Sequence, residues 1–183
     1  GYALWPSEYG DFSTATHMHG RDLLEPYVAA CRKLGLRVGF YYSPPDWHYC
    51  REYHSFNYRN GEWPEEWIER HPEAYALVEK GAWDENWEPR TPPPEMPEEF
   101  ESGLASYVRG QITELLTRYG KIDIIWFDGK PFKRYLPITV DEIRELQPGI
   151  VINPRLHGVV DFETPECRMP ETRPEGWWEG CHI

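Results

Sequence analysis

The chain has 183 residues and a formal net charge of −12 at pH 7. Nucleic-acid binding needs clustered Lys and Arg that neutralise phosphates, so this charge disfavours a nucleic-acid partner and suits a neutral ligand. No apolar run approaches the roughly 18 residues of a membrane span, so no membrane partner is expected.

Helix-like and strand-like segments alternate along the chain. Apolar residues at helical spacing predict helices over 22–34, 100–119 and 140–146. Short β-branched or aromatic runs predict strands over 36–42, 122–127 and 149–153. Because these runs are mostly apolar on both faces, they indicate buried parallel strands. Repeated helix-to-strand units predict an α/β fold, in the form of a partial (β/α)8 TIM-like barrel.

Residues 1–183 are predicted to belong to one domain. A complete β/α barrel typically takes about 250 residues, so we expect the N-terminal and C-terminal barrel strands to lie outside this sequence. Residues 43–99 are rich in Pro, Trp, Tyr and Glu. They predict a long aromatic-rich loop insertion, because long ordered insertions are usually functional. Within it we expect a short helix over 63–70 and an extended stretch at 92–94.

Cysteine and histidine patterns do not favour a metal site. The four cysteines, none in a C-x-x-C pair, are Cys31, Cys50, Cys167 and Cys181. Buried free thiols are the favoured interpretation, and a disulfide between Cys167 and Cys181 is the alternative for an exported protein. His17 and His19 lie between Gly and Thr residues, and a structural or substrate-edge role is favoured over metal binding.

Polar side chains follow each predicted strand, where the active site of a parallel β/α fold lies. Asp46, Trp47 and His48 come after the first strand, Asp128 after the second and Arg155 after the third. These carboxylates, aromatic residues and one arginine are therefore expected to converge on a single face. Asp46 could line a ligand pocket there, or it could cap its own loop.

Asp128 is the sharpest catalytic candidate. It follows Trp126 and Phe127 and precedes Gly129. A carboxylate walled by aromatic side chains is shielded and can still reach a ligand. The alternative interpretation is a plain Asp-Gly turn. The 15% share of aromatic residues fits either sugar-ring stacking or a large core.

If Asp128 is the nucleophile of a retaining glycosidase, a second carboxyl group must lie about 5–5.5 Å away. The loop after the third strand offers four candidates: Glu163, Glu166, Glu171 and Glu179. Each of them could equally be a solvated surface acid, and the pattern does not choose among them.

The ordered set of motifs resembles glycoside hydrolase family 29, the retaining α-L-fucosidases. Residues 1–12 resemble the segment after the family's H-H-D-G motif, and residues 39–43 resemble the strand whose tyrosine lines the fucose pocket. Residues 126–129 match the nucleophile motif, and residues 153–155 resemble N-D-R-W. Pro154 stands in place of the motif's Asp, and Leu156 in place of its Trp, so other sugar specificities stay open.

The resemblance implies residue roles. Asp128 takes the role of nucleophile, and Glu166, in a segment over 161–166, that of acid/base. Glu179 is the alternative acid/base, because residues 178–181 resemble the family's W-E-x-C segment. No metal or organic cofactor is implied. The predicted substrate-binding residues are Trp5, Tyr41, Trp47, His48, Trp126 and Arg155.

The resemblance also implies an activity. We expect a retaining exo-glycosidase that releases terminal α-L-fucosyl residues from fucosylated oligosaccharides or glycoconjugates through a covalent glycosyl-enzyme intermediate. A secreted, periplasmic or lysosomal-type compartment is favoured over the cytoplasm. The alternatives are a related glycosidase with a different sugar specificity and a non-catalytic carbohydrate-binding homologue. Activity is expected in the longer protein rather than in the isolated fragment, and the oligomeric state stays open.

Overall fold

A computed structural model of the chain describes residues 1–50, 53, 69, 95–158, 160–166 and 170–181. The helix expected over 63–70 falls almost entirely outside these ranges, as do the extended stretch at 92–94 and most of the 43–99 insertion. The elements, in chain order, are α1 (Thr14–His17), α2 (Leu24–Lys33), β1 (Gly39–Tyr42), α3 (Glu98–Arg118), β2 (Ile124–Phe127), α4 (Val140–Leu146), β3 (Val151–Ile152), α5 (Pro154–His157), β4 (Phe162–Glu163) and β5 (Trp177–Trp178).

Strands β1, β2 and β3 form one parallel sheet in that order. Tyr41 lies opposite Trp126, and Ile125 lies opposite Ile152. Helices α2, α3 and α4 each precede one of these strands. The predicted mixed α/β fold with parallel strands is therefore confirmed. The second sheet, a parallel pair of β4 and β5, was not predicted, because a strand of two residues has no detectable period.

The two faces of the three-stranded sheet differ in burial. Ile125 and Phe127 are fully buried on the helix-covered face, in one core with side chains of α3 and α4. On the other face, Tyr41 is 62% exposed and Ile124 is 36% exposed. The prediction of strands buried on both faces is therefore wrong for the described residues. The physical reason is that, among the described residues, the hydrophobic core packs on the side of Ile125 and Phe127, while the contacts on the other side are those around Trp126.

Element boundaries differ from the predicted ones for local reasons. Asp22 precedes α2, and its carboxylate accepts the N–H groups of the first two helical residues at 2.8 and 3.0 Å. It is therefore a cap and not part of the helix. Strand β1 begins at Gly39 and not at Leu36, because Gly35 turns the chain with a φ of +69° and Leu36 is 59% exposed. Helix α4 has the predicted bounds.

Of the three cysteines that the structure describes, two are buried. Cys31 is a buried free thiol and Cys181 a half-buried one. Cys167, the other member of the alternative disulfide, lies outside the described residues. The thiol of Cys50 donates to the backbone oxygen of Asp46 at 2.6 Å, and burial raises its pKa to about 12. In the part of the chain that the structure describes, no helix is both long and apolar enough to cross a membrane.

A single buried carboxylate holds the loop that follows β2. Glu101 of α3 is 1% exposed and accepts the backbone N–H groups of Lys133, Arg134 and Tyr135 at 2.5–3.1 Å. The Arg134 side chain adds an ion pair at 2.9 Å. Burial works to raise the pKa of Glu101, but these hydrogen bonds outweigh it and lower the pKa. The loop after Asp128 is thereby tied to α3.

Glu101→Gln is expected to lower the free energy of unfolding at neutral pH by about 2 kcal/mol, because the buried acceptor loses its charge. The folded-state pKa of Glu101 lies below its unfolded value. Its contribution is therefore present above the unfolded pKa and is lost as pH falls through the folded pKa, so the two proteins should converge in acid. Urea unfolding at a series of pH values, from neutral to acid, measures the difference in the free energy of unfolding between wild type and Glu101→Gln. The exposed acid Glu145 gives a matched control, and an equal loss in Glu145→Gln would contradict the prediction.

Candidate active site

Strand alternation places Asp128 on the exposed face of the sheet. Ile124, Trp126 and Asp128 are two residues apart and therefore point to the same side, with Tyr41 of β1 beside them. The backbone N–H of Asp128 donates to Tyr42 at 2.9 Å, which extends the ladder by one bond beyond β2. The carboxylate therefore lies at the carboxyl edge of the parallel strands.

The carboxylate of Asp128 is held by a tyrosine. The hydroxyl of Tyr41 donates a hydrogen bond to Oδ2 of Asp128. Burial raises the pKa of Tyr41, and the hydrogen bond and charge of Asp128 raise it further, to about 12. The phenol therefore stays protonated at neutral pH and remains a donor to the carboxylate.

The backbone around Asp128 is fixed by the loop after β1. Ser43 donates its hydroxyl to the backbone oxygen of Asp128 at 3.3 Å. Gly129 has a φ of +92°, and a Cβ at this position would lie 2.8 Å from Cγ of Pro45. Only glycine fits there without strain. The Asp-Gly pair thus combines a carboxylate presented at the sheet edge with a backbone conformation that requires glycine.

Trp126 connects the other predicted site residues. Its ring stacks on Tyr41 with a centroid distance of 5.6 Å and an interplanar angle of 20°. The guanidinium carbon of Arg155 lies 5.2 Å from the ring centroid. The indole N–H donates to Oε2 of Glu179 at 2.9 Å. The structure therefore brings Tyr41, Trp126, Asp128, Arg155 and Glu179 together.

Arg155 supplies a fixed positive charge to this group. It is in α5 and donates from Nε to Oγ1 of Thr164 at 2.9 Å and from Nη1 to Oε2 of Glu166 at 2.5 Å. Burial works to lower the pKa of Arg155, but the bond to Glu166 and the charges of Glu166 and Asp128 raise it. The guanidinium is thus an anchored cation within electrostatic reach of two carboxylates.

Two of the four candidate acids reach this group. Glu166 does so through Arg155, and Glu179 does so through Trp126. All four side chains are exposed, so exposure does not separate them; Glu163 lies in β4 and Glu171 in the segment before β5. Backbone pairing of β4 with β5 and a bridge between Glu166 and Cys181 hold the two segments side by side. Of the four candidates, Glu166 and Glu179 are therefore the two whose described contacts join them to Arg155 and Trp126.

Trp5 is placed mainly in the core. It is 6% exposed, and its indole N–H donates to Oε2 of Glu114 at 2.7 Å. It also lines a small cavity together with Tyr41. Its direct contact with a substrate stays a prediction.

The segment after β1 separates into a capping part and an exposed part. Asp46 is 2% exposed, and its carboxylate accepts the Tyr107 hydroxyl at 2.7 Å and the N–H of His48 at 2.9 Å. These contacts support the capping interpretation of Asp46. The His48 ring stacks on Phe12 with centroids 4.2 Å apart, while Trp47 is 51% exposed. Substrate contacts of Trp47 and His48 stay predictions.

Other features complete the description of the site. Among the described residues, no group of three or more His, Cys, Asp or Glu could hold a metal ion. His17 ends α1 and shares a 2.8 Å contact with Thr16. Two residues that hold parts of the site in place were not predicted to do so: Asn153 binds the backbone of Phe127, and Thr164 accepts a hydrogen bond from Arg155. Asn before a proline indicates a helix N-cap, which could have drawn attention to Asn153, whereas no sequence signal marks Thr164.

Comparison with known proteins gives consistent matches. The α-L-fucosidase family model matches residues 1–183. The chain is 25% identical over 161 residues to α-L-fucosidase 1 of Arabidopsis thaliana, which covers 83% of the chain and 23% of that protein. It is 32% identical, with a TM-score of 0.62, to α-L-fucosidase isoenzyme 1 from Paenibacillus thiaminolyticus, covering 100% of the chain and 42% of that structure.

A second solved structure is α-L-fucosidase AlfC from Lactobacillus casei in complex with α-L-fucose product. The identity is 28% and the TM-score 0.62, over 98% of this chain and 51% of that one. The chain thus spans between 23% and 51% of the lengths of these relatives.

Asp128→Asn is expected to lower the pKa of Tyr41 from about 12 toward its ordinary value of 10.0, because the substitution removes a charge that holds the phenol proton. An NMR titration of the tyrosine ring carbons measures it, with Tyr41→Phe assigning the signal. Asp141→Asn is the control, because Asp141 is exposed on α4, and it should leave the titration unchanged. A Tyr41 pKa that is the same in Asp128→Asn and wild type would contradict the contact.

Proposed function

Since the chain belongs to the α-L-fucosidase family of glycoside hydrolases, we propose that its protein is a retaining exo-glycosidase that removes terminal α-L-fucosyl residues from oligosaccharides or glycoconjugates. Residues 1–183 form part of one catalytic β/α-barrel domain in this proposal, and residues 43–99 are a loop insertion beside its active site. The AlfC structure with bound α-L-fucose supports the choice of sugar.

One observation carries the proposal. Asp128 lies at the carboxyl edge of a parallel sheet, with Tyr41, Trp126 and Arg155 around it and two further carboxylates in contact with that group. In β/α folds this edge is where catalytic groups are presented. The aromatic rings offer apolar surface to the methyl group and C–H bonds of a fucose ring, and Arg155 offers donors to its oxygen atoms.

Asp128 acts as the nucleophile in the proposed mechanism. Tyr41 binds Oδ2, and among the described residues no donor binds Oδ1. Oδ1 attacks the anomeric carbon, the bond from that carbon to the leaving oxygen breaks, and a covalent glycosyl ester forms. Water then attacks the same carbon and releases fucose and the free carboxylate. Two displacements at one centre retain its configuration.

The second carboxyl group must protonate the leaving oxygen and later take a proton from water. Glu166 is the first assignment, because it lies in the segment that the family motif indicates. A specific contact favours Glu179 instead. Glu166 is ion-paired with Arg155 at 2.5 Å, whereas Glu179 accepts a hydrogen bond from the neutral indole of Trp126 at 2.9 Å. The ion pair engages Oε2 of Glu166 with a cation, so Glu166 would have to leave Arg155 before it could pass a proton to the leaving oxygen through that atom.

Asp128→Gly in the full-length protein is expected to reduce turnover of an aryl α-L-fucoside by roughly 10⁴-fold or more, the scale on which loss of an essential catalytic group acts. Added azide should restore turnover by occupying the vacated space, and the product should be fucosyl azide with inverted configuration. Asp141→Asn should behave as wild type. A glycine variant that turns over at the wild-type rate would sink the assignment, and aryl galactosides in the same assay report on sugar specificity.

Glu166→Ala and Glu179→Ala serve as controls for each other. Loss of the true acid/base should slow a poor leaving group by about 10²–10⁴-fold, because departure then lacks proton donation. An activated aryl fucoside should be slowed far less, and azide should accelerate its turnover and give a product of retained configuration. If only Glu179→Ala behaves this way, the Glu166 assignment is wrong. If neither does, the two-carboxyl mechanism fails.

A further inference from the structure

The pairing of β3 with β2 continues through a side chain. The last backbone pair joins Ile125 to Ile152. Asn153 follows, and its Oδ1 accepts the backbone N–H of Phe127 at 2.8 Å while its Nδ2 donates to the backbone oxygen of Phe127 at 2.8 Å. The side-chain amide thus takes the place of the next peptide group of β3.

This contact is fully enclosed. Asn153 and Phe127 are both 0% exposed, so water cannot replace either hydrogen bond. A side-chain amide provides one donor and one acceptor side by side, as the backbone of Phe127 requires. A carboxylate or an aliphatic side chain would leave at least one backbone group of Phe127 buried without a partner, which is costly.

The position of Asn153 directly before a helix suggests that its side chain caps that helix, but it makes no such hydrogen bond. It is the N-cap of α5, which begins with Pro154. Asn is favoured at this position because its side-chain oxygen can accept a helical N–H. The Asn153 side chain makes no such cap bond and is committed to β2 instead. The helix it precedes carries Arg155, so one residue links the nucleophile strand to the arginine.

We infer that Asn153 is a positioning residue that fixes the carboxyl end of β2 and thereby the direction in which Asp128 projects. Asp128 directly follows Phe127, and on the β1 side its own N–H is bound by Tyr42 at 2.9 Å. The end of β2 is therefore held from both neighbouring strands. The inference rests on the proposed function of Asp128 as nucleophile, and Asn153 touches no substrate.

The test is Asn153→Asp in the full-length protein, which exchanges the amide for a carboxyl group of the same shape. The ionised carboxylate still accepts the Phe127 N–H but faces the Phe127 oxygen with a second acceptor, whereas the protonated form restores the donor. The ratio of variant to wild-type kcat for an aryl α-L-fucoside should fall by about tenfold or more at high pH and recover in acid, because a misplaced nucleophile loses its attack geometry. KM should change little.

Gln147→Glu is the matched control at the other end of β2. The Gln147 amide is also buried; it accepts the N–H of Ile122 at 3.1 Å and donates to the backbone oxygens of Leu116 and Gly120 at 2.6 and 2.8 Å. Exchanging the Gln147 amide for a carboxyl group should lower the free energy of unfolding. It should leave the ratio of variant to wild-type kcat close to one. Equal losses of kcat in both variants would mark a general stability effect and overturn the positioning role.

Hydrogen–deuterium exchange gives a readout that does not depend on activity. Exchange at Phe127, corrected for intrinsic rates and compared with exchange at the buried Ile125 of the same strand, should rise selectively at high pH in Asn153→Asp, whereas Gln147→Glu should raise both amides alike through its effect on fold stability. Unchanged Phe127 exchange would overturn the inference. If wild type cleaves no fucoside, the proposed function fails, and exchange alone decides whether Asn153 holds β2. Should Asn153→Asp not fold, Asn153→Ser replaces it, because the hydroxyl satisfies one of the two backbone groups and should also raise exchange.

Discussion

The parallel register between β1 and β2 is the constraint on which the site depends. Because Tyr41 lies opposite Trp126, its hydroxyl reaches the residue two positions after Trp126, which is Asp128, directly after the end of β2. A shift by one residue would turn Tyr41 or Asp128 to the helix-covered face, since side chains alternate along a strand. The hydrogen bonds that fix this register therefore also fix the direction in which Asp128 projects.

The surroundings of Asp128 offer a cation and a neutral donor, although the chain as a whole is acidic. The chain carries a net charge of −12, yet Asp128 faces a neutral phenol donor and lies within the field of Arg155. Arg155 is itself held by Thr164 and Glu166, so its position is set before any ligand binds. Donors and cations oriented in advance are the main means by which proteins stabilise a charge that develops during reaction.

The sequence alone predicted features that depend on residues close together in the chain. The order of helices and strands follows from their periodicity, and Asp128 follows from its place at a strand end. Contacts between distant segments could not be predicted. The commitment of Asn153 to Phe127, the burial of Trp5 against Glu114 and the exposure of Tyr41 all depend on which elements pack together. Glu166 and Glu179 each lie in a segment that resembles a family motif, and their different partners in space, Arg155 and Trp126, could not be predicted from those segments.

The most direct test of the central claim is trapping of the covalent intermediate. A 2-deoxy-2-fluoro-fucosyl fluoride forms the glycosyl ester and slows its hydrolysis, so the label stays on the nucleophile of a retaining enzyme. Peptide mass spectrometry of the labelled full-length protein should place a single fluorofucosyl group on Asp128. A label on another carboxylate, or an enzyme that takes no label and releases fucose of inverted configuration, would contradict the account.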